Sequence, residues 1–356
     1  MKTLNALILS FLICITQLSA AASTPPGIQH LVISPDNQRL VYARPAGQQS
    51  MLIRSIDTRT GNILSTARTD KPPHITFFGF TPDADKLLGF DSTTKGIPVI
   101  HNKTGKTLRT LPEPRTGYAK EYASSQPVLS PDGSLLALVD ERHSPEPLAY
   151  LVNTGSKKLL HTIPLPKPLL RHSVAFSHDG KTLFWLARTQ DTMQLQRYHF
   201  YQQKALPPLS LSSAYQTDVR LHAGPNGRYA LLHDRSKLAI VDLTTGQEHT
   251  YPNQPQGMIQ FADFISPQHY GLLLNTRNGN QQVYQWVTVN LKNQQKQVFT
   301  LPLRQTAGSI TLSKNRRQLA VSTQEKAADK PGLQDTVYLL DTFSGKLIRR
   351  FAFAQE

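Results

Sequence analysis

Short apolar runs separated by polar turns recur along nearly the whole chain, and each run has the length of a β-strand. Arg39 to Ala43, Leu135 to Val139 and Thr182 to Leu186 are examples. No stretch sustains the period of roughly 3.6 residues that places apolar side chains on one face of a helix. The pattern therefore predicts an all-β protein.

One turn motif punctuates these runs at nearly equal distances. Complete examples are Ser130-Pro131-Asp132-Gly133 and, with Asn at the fourth position, Ser34-Pro35-Asp36-Asn37. Ser, Pro and Gly at the first, second and fourth positions favour a type I turn. The first residues of the motifs stand 47, 49, 47, 47, 42 and 47 apart, and they are Ser34, Thr81, Ser130, Ser177, Gly224, Ser266 and Ser313.

In most repeats a second turn follows about 20 residues after the first. Asp or Asn opens it, and Gly closes it with a positive φ angle that other residues rarely adopt. The turns are Asp57 to Gly61, Asn102 to Gly105, Asn153 to Gly155, Asp242 to Gly246 and Asp341 to Gly345. Each period thus holds four strands, a to d, and seven such periods predict a seven-bladed β-propeller of four-stranded antiparallel blades.

The combination of Ser-Pro-Asp-Gly turns with Asp-x-x-Thr-Gly turns, as in Asp242 to Gly246, resembles the bacterial WD-repeat-like propellers. These include the YVTN surface-protein repeats and the TolB-type propeller. The resemblance covers the whole mature chain and implies the propeller fold. It leaves function open, because such propellers serve as protein-binding platforms, lactone hydrolases and accessory domains.

The N-terminus has the pattern of a cleaved export signal. Lys2 precedes an apolar run from Ala6 to Ile15, and small residues follow at Ala20 to Ala22. The run is about half the length of a membrane-spanning helix, and no other segment approaches that length. We therefore expect a signal peptide over residues 1–22, a propeller over residues 23–356, a periplasmic or secreted location and no transmembrane segment.

The only cysteine, Cys14, lies inside this predicted signal. A mature chain without cysteine excludes disulfides, thiolate metal sites, iron–sulfur clusters and covalently attached c-type haem. No Gly-x-Ser-x-Gly elbow and no Walker loop occurs, and the histidines lack the spacings of zinc enzymes. We therefore expect no cofactor and no metal, and we assign no catalytic residue.

The formal net charge of +15 favours anionic partners, such as an acidic envelope protein, an anionic surface or a wall polymer. The alternative is that the charge only keeps the protein soluble, because Lys and Arg are scattered along the chain. No feature predicts specific recognition of nucleic acid.

Propeller geometry places the a–b and c–d turns on one face and the b–c loops and d–a linkers on the other. The second set is irregular, which is typical of binding loops. Charged or imidazole side chains recur where strand b ends, and they form either a binding ring or ordinary solvated strand ends. The candidates are Arg44, Asp140, Arg142, His143, Arg188, Asp191, His233, Asp234, Arg235 and Arg277.

Two functions remain open at this point. The first is a non-enzymatic binding or scaffold protein of the cell envelope, with a protein or anionic partner. The alternative is a lactonase-like propeller hydrolase with its site at the central channel mouth. In that case His143 and His233 could converge there with Asp140 and Asp234 as a metal or general-base site.

Overall fold

The computed structural model describes residues 27–46, 51–68, 75–80, 86–91, 97–101, 104, 106–111, 128–140, 147–156, 158–165, 173–188, 192–212, 215, 219–250, 257–279, 281–303, 305, 307–326 and 333–353. The described residues contain no helix and form seven antiparallel sheets, each made of four consecutive strands. This confirms the predicted all-β, seven-bladed propeller.

The strands of the first four blades run in chain order from the N-terminus. The first blade has β1 (His30–Ile33), β2 (Arg39–Pro45), β3 (Met51–Asp57) and β4 (Ile63–Arg68), and the second has β5 (Ile75–Phe80), β6 (Lys86–Asp91), β7 (Ile97–His101) and β8 (Thr107–Leu111). The third blade has β9 (Val128–Leu129), β10 (Leu135–Asp140), β11 (Leu148–Asn153) and β12 (Leu159–Pro164), and the fourth has β13 (Ala175–Phe176), β14 (Thr182–Arg188), β15 (Met193–His199) and β16 (Lys204–Leu211).

The remaining three blades follow the same order. The fifth has β17 (Arg220–Ala223), β18 (Tyr229–His233), β19 (Leu238–Asp242) and β20 (Glu248–Thr250), and the sixth has β21 (Met258–Ser266), β22 (His269–Asn278), β23 (Gln281–Asn290) and β24 (Lys296–Leu301). The seventh has β25 (Ile310–Leu312), β26 (Gln318–Lys326), β27 (Leu333–Asp341) and β28 (Leu347–Phe353).

The core lies between blades. In β2, Leu40 and Tyr42 belong to a cluster shared with the seventh blade, whereas Val41 and Ala43 face Ile100 of the second blade. Both faces of such a strand are buried, which explains the nearly continuous apolar runs of the sequence. Among the described residues, one hydrophobic cluster fills each junction between successive blades.

Packing between the first and last blades closes the ring. β1 contacts β25 and β26. Tyr42 lies against Phe353 with 4.7 Å between ring centroids, and both rings belong to the same buried cluster. Arg349 adds a hydrogen bond from Nη1 to the carbonyl oxygen of Thr60, 2.9 Å away.

The first strands of successive blades contact one another, as β1 with β5 and β17 with β21, so they surround the axis of the ring. The a–b and c–d turns lie at one end of the blades, called the turn face below. The b–c loops and d–a linkers lie at the other end, called the loop face. In the described part of the chain, no helix has the length and hydropathy required to span a bilayer.

Candidate functional site

A cavity of about 290 Å³ opens on the turn face. Its walls come from the a–b turns of the fourth to seventh blades and from the c–d turn of the seventh. Because a–b turns follow the strands that surround the axis, the cavity lies at the mouth of the central channel. The lining residues are His178, Pro225, Ile265, Ser266, Pro267, Lys314, Asn315, Arg316, Arg317 and Phe343.

The seventh-blade a–b turn is held rigidly by its own side chains. The backbone N–H of Arg316 donates to the carbonyl oxygen of Ser313 over 2.8 Å. Ser313 Oγ donates to Asn315 Oδ1 over 2.8 Å, and it accepts the backbone N–H of Gln318 over 2.9 Å. Thr342 Oγ1 then donates to the carbonyl oxygen of Arg316 over 2.7 Å, which ties the c–d turn to the a–b turn.

The same construction occurs in other blades, which explains the repeated sequence. Ser130 Oγ donates to Asp132 Oδ1 over 2.6 Å and accepts the backbone N–H of Leu135 over 2.9 Å. Thr154 Oγ1 donates to the carbonyl oxygen of Gly133 over 2.8 Å. The predicted turn chemistry is therefore confirmed. These hydrogen bonds fix the backbone positions from which the side chains of the turn face extend.

Arg316 departs from this pattern. It occupies the fourth turn position, where Gly stands in other repeats, and its φ is 62°. A residue other than Gly pays a conformational cost there. Its guanidinium reaches the sixth blade, where Nη1 donates to Asp263 Oδ1 over 2.9 Å and, through a short bond, to the carbonyl oxygen of Phe264.

Asp263 lies in β21 between two cationic or imidazole groups. Besides Arg316, it has His222 Nδ1 of β17 within 3.5 Å of its Oδ2. Burial by itself would raise the pKa of Asp263, but the charge of Arg316 and the neighbouring His222 outweigh it and hold that pKa well below its usual value. Asp263 is therefore ionised at neutral pH and pairs with Arg316.

The ring of His222 stacks on that of His233, with 5.7 Å between centroids and 12° between planes. His233 is buried, and its Nδ1 lies 3.2 Å from the carbonyl oxygen of Asp234. Burial, followed by the influence of His222, lowers the pKa of His233 to about 3. His233 is thus a neutral packing residue of the interior near neutral pH.

Lys314 and Arg317 bring exposed cations to the cavity. The Arg317 Cζ atom lies 6.0 Å from the ring centroid of Phe343, which favours a cation–π contact and orients the guanidinium. Neither side chain has a carboxylate partner among the described residues. With Arg316 paired to Asp263, these two residues leave the mouth with an excess of positive charge.

His178 lines the cavity from the fourth blade. Partial burial, followed by the positive charge of Arg316, lowers the pKa of His178 below its ordinary value of 6.5. The imidazole is therefore mainly neutral at pH 7 and can act there as a hydrogen-bond donor or acceptor. Pro225, Ile265, Pro267 and Phe343 supply the apolar part of the wall.

The predicted candidates on the loop face are not all exposed. Arg44 is buried, and its Nη1 donates to Asp335 Oδ2 over 3.2 Å. Asp234 is buried as well, and its Oδ1 accepts the backbone N–H groups of Ser236 and Lys237, 2.7 Å away in each case. These two residues, like His233, therefore have structural partners in the interior.

The other predicted binding residues differ in their surroundings. Arg188 donates from Nη2 to the carbonyl oxygen of Tyr215 over 2.6 Å, while Arg235 and Arg277 are exposed. Asp140 is the last residue of β10 and pairs with Leu148 in the sheet register. Three candidates lie outside the described residues, namely Arg142, His143 and Asp191. A binding role for this set remains a prediction.

No group of three or more His, Cys, Asp or Glu side chains that could hold a metal ion occurs within the described ranges. The functional interest of the turn face was missed by the sequence reasoning, which attributed its residues to turn chemistry. Two signals pointed to it. Asp263 is a lone charge within an apolar strand, and Arg316 stands where three other repeats have Gly.

Neither a protein-family model nor a curated protein matches this sequence. Among solved structures, a eukaryotic initiation factor shares 15% identity with a TM-score of 0.47, covering 93% of this chain and 78% of that one. TolB from Acinetobacter baumannii shares 13% with a TM-score of 0.47, covering 89% and 79%. NirN, a dihydro-heme d1 dehydrogenase solved in complex with DHE, shares 11% with a TM-score of 0.56, covering 92% and 66%. At such identities the likeness to NirN shows the propeller fold alone.

Proposed function

We propose that this chain is an exported binding protein of the bacterial cell envelope that recognises an anionic partner and catalyses no reaction on it. The cation-lined cavity at the channel mouth carries the proposal. Lys314 and Arg317 are exposed there, and no carboxylate is among the described residues that line it. The excess of Lys and Arg over Asp and Glu, which persists when Lys2 leaves with the signal peptide, would attract an anionic partner at longer range.

The ionisation of Asp263 favours a positioning role for this residue over a role as a general acid or base. A general acid or base needs a pKa near the working pH, so that it can exchange a proton. The charge of Arg316 and the neighbouring His222 lower the pKa of Asp263 against the opposing effect of burial. Such a carboxylate serves to fix the position of Arg316 and cannot readily carry a proton.

The envelope location rests on the predicted signal peptide over residues 1–22, which lies outside the described residues. Mass spectrometry of the protein from its native host tests this part directly. We expect a mature N-terminus at Ala21 or Ser23. An intact Met1 in a cytoplasmic fraction would contradict the proposed export.

Charge reversal tests the binding site. The turn-face pair Lys314→Glu and Arg317→Glu is compared with the loop-face pair Arg235→Glu and Arg277→Glu, because all four residues are exposed and both changes alter the net charge equally. The probe is fluorescent poly-L-glutamate, titrated at several salt concentrations. We expect the turn-face pair to lose about tenfold in affinity at low salt and the loop-face pair to lose less than about threefold.

The remaining outcomes distinguish the alternatives. Equal losses in both pairs would mean that only net charge matters and would overturn the proposed site. A larger loss in the loop-face pair would place binding on the face predicted from the sequence. Metal-dependent hydrolysis of a lactone by the purified protein would favour the hydrolase instead.

A further inference from the structure

The cavity at the channel mouth is small, and its cationic side chains all lie on one side. Its volume of about 290 Å³ lies at the lower end of ligand pockets, which commonly span about 300 to 1,000 Å³. Lys314, Arg316 and Arg317 all come from one turn, whereas Pro225 and Pro267 come from two other blades. A ligand that presents a negative group close to an apolar group therefore matches this lining.

The cationic side of the cavity is fixed before any ligand binds. Asn315 Oδ1 accepts the backbone N–H of Arg317 over 3.1 Å. Trp286 Nε1 donates to the carbonyl oxygen of Thr342 over 2.7 Å and anchors the adjoining turn. The Phe343 ring, which is 38% exposed, lies beneath the guanidinium of Arg317. A rigid guanidinium fork of this kind suits a carboxylate, which it can bind in a bidentate manner.

The geometry of peptides narrows the choice of ligand. In an extended chain, the nearest side chains on one face are two residues apart, so an acidic and an apolar side chain that enter one cavity together are separated by roughly 7 Å. The last residue of a polypeptide is different, because its α-carboxylate and its side chain leave the same Cα atom. Capture of a C-terminal carboxylate is an established mode of peptide recognition.

We infer that the cavity binds the C-terminal residue of a polypeptide partner whose last side chain is apolar. The carboxylate bonds to Arg317 and Lys314, and the side chain packs against Phe343 and the prolines. This inference rests on the proposed function, since it names the partner class for the same site.

The test uses the mature protein and a labelled hexapeptide, Gly-Ser-Gly-Ala-Leu-Phe, with either a free C-terminal carboxylate or a C-terminal amide. Fluorescence anisotropy measures affinity, and poly-L-glutamate and inorganic phosphate serve as separate competitors. We expect the free acid to bind about tenfold more tightly than the amide. Arg317→Gln should remove that difference, Arg317→Lys should restore part of it, and Lys326→Gln at the exposed loop-face end of β26 should change nothing.

Each other result has a defined meaning. Equal binding of acid and amide, with poly-L-glutamate still sensitive to Arg317→Gln, would overturn the C-terminal inference and leave the anionic binding function standing. Competition by phosphate at concentrations matching the peptide acid would do the same, because a general anion site needs no apolar group. Failure of both peptide and poly-L-glutamate to bind would overturn the inference and the proposed function together.

Discussion

Arg316 of the seventh blade donates through Nη1 to Asp263 Oδ1 of the sixth blade over 2.9 Å. The side chains are 22% and 14% exposed, so the pair is largely removed from solvent. Removing one partner of a buried ion pair lowers the free energy of unfolding more than removing one partner of an exposed pair does. The reason is that the remaining buried charge is left without its counter-ion. The contact therefore holds two blades together and also sets how much positive charge the cavity presents.

Asp263→Asn should lower stability and strengthen anion binding at the same time. The loss of a charged hydrogen-bond acceptor should reduce the free energy of unfolding by roughly 2 kcal/mol. Release of the Arg316 charge should raise the affinity for poly-L-glutamate by about threefold at low salt. Urea denaturation and anisotropy measure the two effects separately.

Arg228→Gln is the matched control for the loss of stability expected of Asp263→Asn. Arg228 pairs with Asp242 over 2.9 Å, but its side chain is 58% exposed. The expected cost is below about 1 kcal/mol, as for surface ion pairs. An Asp263→Asn variant as stable as Arg228→Gln, with unchanged anion affinity, would show that the Arg316 pair has neither role.

The Arg44–Asp335 pair should contribute to ring closure. Burial raises the pKa of Asp335 more than the adjacent Arg44 lowers it, so the carboxylate is poorly compensated even in the intact protein. Arg44→Met should therefore cost about 3 kcal/mol or more in unfolding free energy, because it leaves a buried carboxylate without its cation. Chemical denaturation of the purified variant measures this loss.

The double variant Arg44→Met with Asp335→Asn separates charge from packing. The neutral amide introduced by Asp335→Asn retains an oxygen acceptor and removes the uncompensated charge. We expect the free energy of unfolding of the double variant to be about 2 kcal/mol higher than that of Arg44→Met alone. A double variant no more stable than the single one would show that the pair is not coupled across the ring closure.

The fold was accessible from the sequence because its determinants are local. The Ser130–Asp132 and Thr154–Gly133 contacts lie within one repeat, so the turn residues recur at a constant spacing. The site was not accessible in the same way. Asp263 and Arg316 meet across a blade junction, 53 residues apart, and no periodic pattern specifies which residues face each other there.

The loop-face candidates illustrate the same limit. Arg44 stands near the end of a second strand, as Arg235 and Arg277 do, but position along a strand does not determine exposure. Arg44 turns toward the seventh blade, where Asp335 is buried beside it, whereas Arg235 and Arg277 meet solvent. The difference comes from the adjacent blade, which the local sequence does not encode.

Stability should fall as the pH falls below neutral. The pKa of His233 is lowered to about 3 and that of His30 to about 4, mainly by burial. Between pH 6.5 and these values the unfolded chain takes up protons that the folded chain does not, so acidification favours unfolding. His233 alone should cost about 2 kcal/mol between pH 7.5 and pH 5.

Urea denaturation at a series of pH values measures this dependence. His233→Leu should flatten the curve between pH 7.5 and pH 5, and a double variant with His30→Leu should flatten it further. The absolute stability of the variants does not enter the comparison, because only the slope with pH is read. A His233→Leu curve parallel to that of the wild type would contradict the assigned burial of a neutral imidazole.

Gly345 offers a test of the packing between the sixth and seventh blades. It ends the c–d turn of the seventh blade with a φ of 61°, and a Cβ atom built on it would lie 2.3 Å from Phe299 Cγ of the sixth blade. Gly227 has a similar φ of 69°, but a Cβ there would meet no atom within 4 Å.

Alanine at either position incurs roughly 1 kcal/mol of backbone strain, and only Gly345→Ala adds a steric clash. We expect Gly345→Ala to lose about 1 to 3 kcal/mol more than Gly227→Ala in thermal or urea unfolding, and Phe299→Ala should reduce that excess when combined with it. Equal losses in the two alanine variants would mean that the sixth and seventh blades do not approach closely at this turn.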